Sequence, residues 1–159
     1  MMCPMQFTHS TRHQAAPADV LAMLLDPAFR ERSSLAQQAS GITVTVDGST
    51  LRLEMEQPNN DIPAFARAFA GETTRTVITE VWSGTTAKVT IETPGKPAQI
   101  TATRSLVTDG DGTRDLFEAE AKAKVPLIGG KIEKLIAAKV VEGLQVEEKV
   151  AGAWLAGER

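Results

Sequence analysis

Three charged side chains fall where the hydropathy pattern calls for apolar ones. Arg104 shares a strand face with Ile100, Ala102 and Leu106, and Glu80 shares one with Ile78 and Trp82. Lys139 falls in an apolar helical stripe between Leu135 and Gly143. A buried unpaired charge costs several kcal/mol, so each must be paired, reach water or face a wet cavity. Two arrangements meet that demand. In one, Arg104 and Lys139 run to the rim on long stems and Glu80 points outward. In the other, Glu80 and Arg104 form a polar spot inside a cavity and orient a ligand carboxylate or hydroxyl.

Other chemistry-bearing residues fail on spacing. His9 and His13 share a strand face but lie about 13 Å apart at ~3.3 Å per residue, too far for one metal ion. Asp109-Gly110-Asp111-Gly112-Thr113 with Glu120 resembles a calcium loop, yet Arg114 occupies the sixth position, where glycine is needed, and the flanks are strands. Gly129-Gly130-Lys131 lacks the first glycine of a phosphate loop, because Val125 stands there. No Gly-x-Ser-x-Gly occurs, and the absence of tyrosine removes one common acid–base group. No catalytic residue, metal site or cofactor is therefore expected.

Composition sets the frame for these residues. The chain has 159 residues, which suits one domain spanning 1–159 with a core that needs no disulfides. Cys3 is the single cysteine, so neither a disulfide framework nor a cysteine zinc site is available. A net charge of −3 offers no footprint for nucleic acid. The longest apolar runs, such as Val20–Leu25, are far below the ~20 residues that cross a bilayer, so no stable membrane insertion is expected. Met1–His13 alternates in polarity and lacks the apolar stretch of a signal peptide, which points to a cytoplasmic protein.

The elements that position these residues follow from periodicity. Met5–His13 alternates as a strand. Pro17 opens a short helix carrying Val20, Leu21, Leu24 and Leu25, and Asp26-Pro27 caps a second that runs to about Gln38. Ile42, Val44 and Val46, then Leu51, Leu53 and Met55, form a hairpin about Asp47-Gly48-Ser49. Ile62, Phe65, Ala66 and Phe69 recur at helical spacing. Phe65 and Phe69 either plug the open end of the sheet or gate it from a loop flanked by Pro58, Pro63 and Gly71. Strands follow over Thr74–Ser83, Thr86–Thr93, Ala98–Thr108 and Thr113–Val125. The first of these is apolar on both sides, so its inward face stays open.

Ile128–Ala156 reads as one helix of about 43 Å. Ile128, Ile132, Leu135, Ile136, Gly143, Val146, Val150 and Trp154 share its apolar stripe, while Lys131, Lys134, Glu142, Gln145 and Lys149 face away. A helix so long and one-sided must lie across the oily face of the sheet. The fold class is α+β: a curved seven-stranded antiparallel sheet gripping a long C-terminal helix, with two short helices after the first strand.

That order of elements resembles the START-related helix-grip (SRPBCC) superfamily. More narrowly, Phe7-Thr8-His9, Ile62-Pro63-Ala64-Phe65, Glu80-Val81-Trp82 and the run Val125–Glu133 are similar to a bacterial domain-of-unknown-function family within it. The resemblance implies a cavity between sheet and long helix, usually for hydrophobic ligands, and it implies no catalytic residue. Such a cavity would be bounded by Phe65, Phe69, Trp82, Arg104, Phe117, Ala121, Lys139 and Gly143, with Glu80 as a further polar candidate. The small inward residues Ala119, Ala121, Ala123 and Gly143 fit either a void or close helix–sheet packing.

The function expected is non-catalytic binding or transport of a hydrophobic, lipid- or polyketide-like small molecule by a monomer or homodimer. Two alternatives stand beside it. One is a cyclase or dehydratase acting in the same cavity, with Glu80 as the best carboxylate and His9 the best histidine. The other is a protein-interaction module.

Overall fold

The computed structural model describes residues 4–159; Met1–Cys3, with the single cysteine, lie outside the described residues. The chain runs β1 (Met5–His13), α1 (Pro17–Leu24), α2 (Pro27–Ala36), β2 (Ser40–Asp47), β3 (Thr50–Pro58), α3 (Ala64–Ala70), β4 (Thr73–Ser83), β5 (Thr86–Glu92), β6 (Ala98–Asp109), β7 (Gly112–Ala123) and α4 (Gly129–Leu155). The strands form one antiparallel sheet in the order β1-β7-β6-β5-β4-β3-β2. Six strands follow one another through the sheet, and the first closes onto the last. The α1–α2 pair carries the chain from one edge strand to the other.

Local chemistry explains the breaks. Asp26 caps α2, its Oδ1 accepting from the Ala28 amide at 2.9 Å, and Pro27 takes the first turn, where its missing N–H costs nothing. Gly48, Gly84 and Gly110 turn three hairpins with positive φ. At the β7–α4 junction, Leu127 has a φ of 71° and stands fully in solvent. Here Glu133, buried on α4, reaches back to accept the Ala123 amide at 3.0 Å, so the helix satisfies the last donor of β7.

The inner face of the sheet can be read from its register. Thr76, Ile78, Glu80 and Trp82 of β4 point inward, and the open question about that strand is settled by the burial of Glu80 beside the exposure of Val81. No bulge interrupts β4; the register shift falls instead between Ser40 and Thr43 on β2. α4 packs against β1, β7 and α2 rather than across the whole sheet. Its buried line is Ile132, Ala137, Glu147, Ala151 and Trp154, with Ile136, Val140 and Leu144 half-buried beside them. Ile132 and Trp154 of the stripe expected from sequence are buried, but between them the buried line runs through Ala137 and Glu147, with Gly143, Val146 and Val150 only half-buried.

The larger core joins α1, α2 and the C-terminal turns of α4 to the sheet. Val20, Leu24 and Phe29 meet Trp82, Ala87, Leu106, Ala151 and Trp154, with the Phe29 and Trp154 rings edge-on at 5.5 Å. A smaller cluster of Ile62, Ala66, Ala123 and Ile132 closes the opposite end. Between the two the interior is not filled.

Candidate functional site: a cavity with an ionic floor

A cavity of about 430 Å³ lies between the sheet and α4. One wall is the oily inner face of β3–β7, including Leu53, Met55, Ile78, Ile91, Ile100 and Phe117. The other is α4, through Ile132, Leu135, Ile136, Val140 and Leu144. Alternation along each strand and the one-sidedness of α4 make both walls apolar. Volume and lining match those of small-molecule sites in general.

The rim is polar and tied by side chains. Asn59 donates to the Ala70 carbonyl at 3.1 Å and to Thr74 Oγ1 at 2.8 Å, fastening the end of β3 to the start of β4 across the α3 loop. The Lys96 ammonium donates to the same Ala70 carbonyl. Lys139 extends from α4 to the rim, half in solvent, with its Nζ 3.4 Å from Glu142.

Opposite the rim, charged side chains form the floor. Arg30 of α2 donates from Nη1 and Nη2 to the two oxygens of Glu80, at 3.2 and 2.8 Å, and from Nη1 to the Leu24 carbonyl at 3.3 Å. Trp82 Nε1 donates to Glu80 Oε1 at 3.1 Å. Arg104 grips Asp115 through Nε at 2.9 Å and Nη2 at 2.6 Å; Nη2 also donates to Glu147 of α4, and Nη1 stands 3.7 Å from Glu80. Behind Asp115 lies His13, its Nε2 at 3.3 Å from Oδ2. Arg30, Glu80, Arg104, Asp115 and His13 are all at most 3% exposed. Small inward neighbours, Ala87 opposite Arg104 and Ala102 and Ala119 alongside, leave the height these long side chains occupy.

Pairing overrides desolvation at each of these groups. Burial would raise the Glu80 carboxyl, but Arg30 and then Arg104, helped by the donated hydrogen bonds, hold it below the usual carboxylate range. Burial opposes the charge of Asp115 too, and Arg104 with the His13 contact holds that group far lower still. Burial would lower the two guanidiniums; Glu80 keeps Arg30 above its ordinary value, and Asp115 and Glu147 keep Arg104 well above it. Arg30, Glu80, Arg104 and Asp115 are thus held in their charged forms. Glu80 is therefore shifted away from the raised value that a general acid or base needs at neutral pH.

The residues singled out from sequence separate into two sets. Phe69, Glu80, Arg104, Phe117, Lys139 and Gly143 line the cavity. Phe65, Trp82 and Ala121 do not. Phe65 lies outside the wall, partly exposed under the Lys131 ammonium at 5.9 Å; Trp82 is packed below the floor, and Ala121 is sealed within the core. Plugging of the open end falls to Ile62 and Ala66, since Phe65 and Phe69 both stay near 40% exposed. Gly143 marks a close approach, but to α2 rather than the sheet: a Cβ there would meet Gln37 Oε1 at 2.7 Å. His9 is half-buried on β1 with its Nε2 unpartnered.

Sequence reasoning missed Arg30, Asp115, Glu147 and the role of His13. Asp115 was within reach, for it continues the inward alternation of Phe117 and Ala119 by one step. Arg30 and Glu147 sit on helices, where a single charge carries no such signal.

With fold and site in view, the sequence can be set beside known proteins. Residues 8–155 match the family described as protein of unknown function, DUF2505. The chain belongs to that family. No curated protein matches it in sequence. Among solved structures it is similar to TTHA0849 from Thermus thermophilus, with 16% identity, a TM-score of 0.68, and coverage of 98% of this chain and 100% of that one. Norcoclaurine synthase from Thalictrum flavum, in complex with dopamine and hydroxybenzaldehyde, superposes with a TM-score of 0.68 at 14% identity, covering 99% of this chain and 90% of that one. The di-domain ARO/CYC protein StfQ of the steffimycin biosynthetic pathway gives a TM-score of 0.66 at 13% identity; there the match covers 93% of this chain and 49% of the other. At these identities the likeness shows the helix-grip fold alone. Among the described residues no helix is long and apolar enough to cross a membrane.

Proposed function

We propose that this DUF2505 protein is a non-catalytic binder or carrier of a hydrophobic small molecule held between the sheet and α4. One observation carries the reading: an apolar-walled cavity of about 430 Å³ ends on Glu80 and Arg104, whose charges are paired within the floor. Apolar walls supply affinity by burying ligand surface, while a closed ionic floor offers orientation rather than a reactive group. The cyclase alternative is the less supported, because Glu80 has both oxygens engaged and its proton affinity lowered. Helix-grip neighbours include an enzyme solved with two small aromatic molecules, which supports a ligand-sized interior in this fold.

The test is displacement of a neutral fluorescent naphthylamine probe from delipidated protein, with the variant Leu135→Trp as control. Leu135 lines the cavity and is half-buried, so an indole there projects into the void and obstructs it. Wild type should bind the probe and the variant should not, with far-UV circular dichroism unchanged. Equal probe binding by the two would refute the reading.

A further inference from the structure

The floor is complete in donors and short of them where it meets the cavity. Its guanidiniums are committed: Arg30 to Glu80 and the Leu24 carbonyl, Arg104 to Asp115 and Glu147, with Nη1 of Arg104 facing Glu80. Acceptors remain. Only Oε1 of Glu147 receives a hydrogen bond, and Glu147 lines the cavity. Ser33, also on the lining and 2% exposed, has an Oγ with no partner. These two groups lie level with each other. Phe29 meets Trp154 and Gln37 meets Gly143, so α2 and α4 run antiparallel; Ser33 is one turn before Gln37 and Glu147 one turn after Gly143. Gln37 spends one of its two amide N–H groups on the Ser33 carbonyl at 3.3 Å and keeps its oxygen as a third acceptor.

On the lining itself Glu80 and Glu147 face Arg30 and Arg104, while Asp115 and His13 lie behind them, outside the lining. An anionic head group would have to turn Arg104 Nη1 away from Glu80 and place a third negative charge beside these two carboxylates. A cationic donor instead meets the open oxygen of Glu147.

We infer that the polar end of the ligand is a protonated amine, seated between Glu147 and Ser33, on an otherwise apolar body. This rests on the binding reading above and replaces the sequence alternative in which Glu80 and Arg104 orient a ligand carboxylate or hydroxyl. The experiment is a head-group series on one chain length: decylamine, decanol and decanoate, each displacing the naphthylamine probe at pH 7.5. Decylamine should bind about tenfold more tightly than decanoate or better, with decanol between them, as expected for one charge-assisted hydrogen bond. Glu147→Gln should abolish the amine preference, and Ser33→Ala, which removes one hydroxyl without creating a charge, should weaken decylamine several-fold. Leu135→Trp should abolish binding of all three, which separates cavity occupation from surface attraction to an acidic protein. If no member of the series binds wild type, the binding reading itself falls. Decanoate binding as well as decylamine would overturn the amine assignment and leave the carrier intact. An amine preference surviving both Glu147→Gln and Ser33→Ala overturns the seat.

Discussion

The two ends of the inner sheet face carry the same alternating pattern and have opposite interiors. Beyond Glu80 and Arg104, toward Trp82 and Leu106, the space is filled by Leu24, Phe29 and Trp154. On the other side, Ile78, Ile91 and Ile100 look into a void. What differs is the covering layer. α1, the start of α2 and the Trp154 turn of α4 bring large side chains down onto the first end. The second is covered by the middle of α4, the short α3 and only small or polar side chains of α2 such as Ser33 and Gln37, with Ile62 and Ala66 reaching only the edge. The ionic floor lies at the boundary. Apolar residues on a strand therefore certify a dry face, not a packed one.

The largest effect should come from breaking that boundary. Arg104→Met keeps the stem but leaves Asp115 and Glu147 buried without their cation. Removing one partner of such a network costs about 3–5 kcal/mol, so the variant should melt many degrees below wild type. An unchanged melting temperature would mean the floor is hydrated and weak. The same substitution is consequently a poor probe of ligand binding, because fold and site are altered together.

Next comes the contrast between the ends themselves. Phe29→Ala opens a hole in a filled core and should cost about 3–5 kcal/mol. Leu135→Ala enlarges a space that already exists, around a side chain already half in contact with it, and should cost about 1 kcal/mol. Denaturant midpoints at constant m-value measure both. Equal losses would erase the distinction drawn between solid and hollow ends.

The acid dependence of stability should centre on the floor, whose carboxylates resist protonation in the native protein. Glu80 and Asp115 titrate near 4 when unfolded but are held lower in the native protein, so below about pH 5 the unfolded chain binds more protons. Stability from both pairs is complete above that range and is lost as pH falls toward the native values. A melting-temperature profile between pH 2.5 and 6 should slope downward with acid, and Asp115→Asn should reduce the slope by about one proton. A slope that Asp115→Asn leaves unchanged would assign the acid response to other carboxylates.

Much of this molecule is legible in its sequence, and the reason is periodicity. The alternation of Leu51-Arg52-Leu53-Glu54-Met55, the turns at Gly48 and Gly110 and the uninterrupted α4 each require only local rules. Glu80 and Arg104 were visible because they violate that periodicity. Their partners were not, since Arg30 lies 50 residues from Glu80 and Glu147 43 from Arg104, and no local pattern encodes such meetings. The void was expected from the family resemblance and not from the pattern, because alternation reports which way a side chain points, and volume depends on what comes down from above.

The smallest effect is expected at the rim, where it bears on rate rather than stability. Phe69 lines the cavity yet is 42% exposed, and Phe65 is 39% exposed with the Lys131 ammonium over its ring. Exposed aromatics that bury little surface contribute little to folding, so Phe69→Ala should shift the melting temperature by no more than a degree or two. If α3 gates the opening, that truncation should speed probe entry and release together and leave affinity within about twofold, because a barrier lowered from both sides does not move an equilibrium. Stopped-flow association and displacement of the naphthylamine probe read both rates. Phe65→Ala is the internal comparison: its ring does not line the cavity, so both rates should stay at wild-type values. Were Phe69→Ala to weaken affinity through release alone, the ring would be part of the binding wall, and the hollow end would reach further toward solvent than its rim implies.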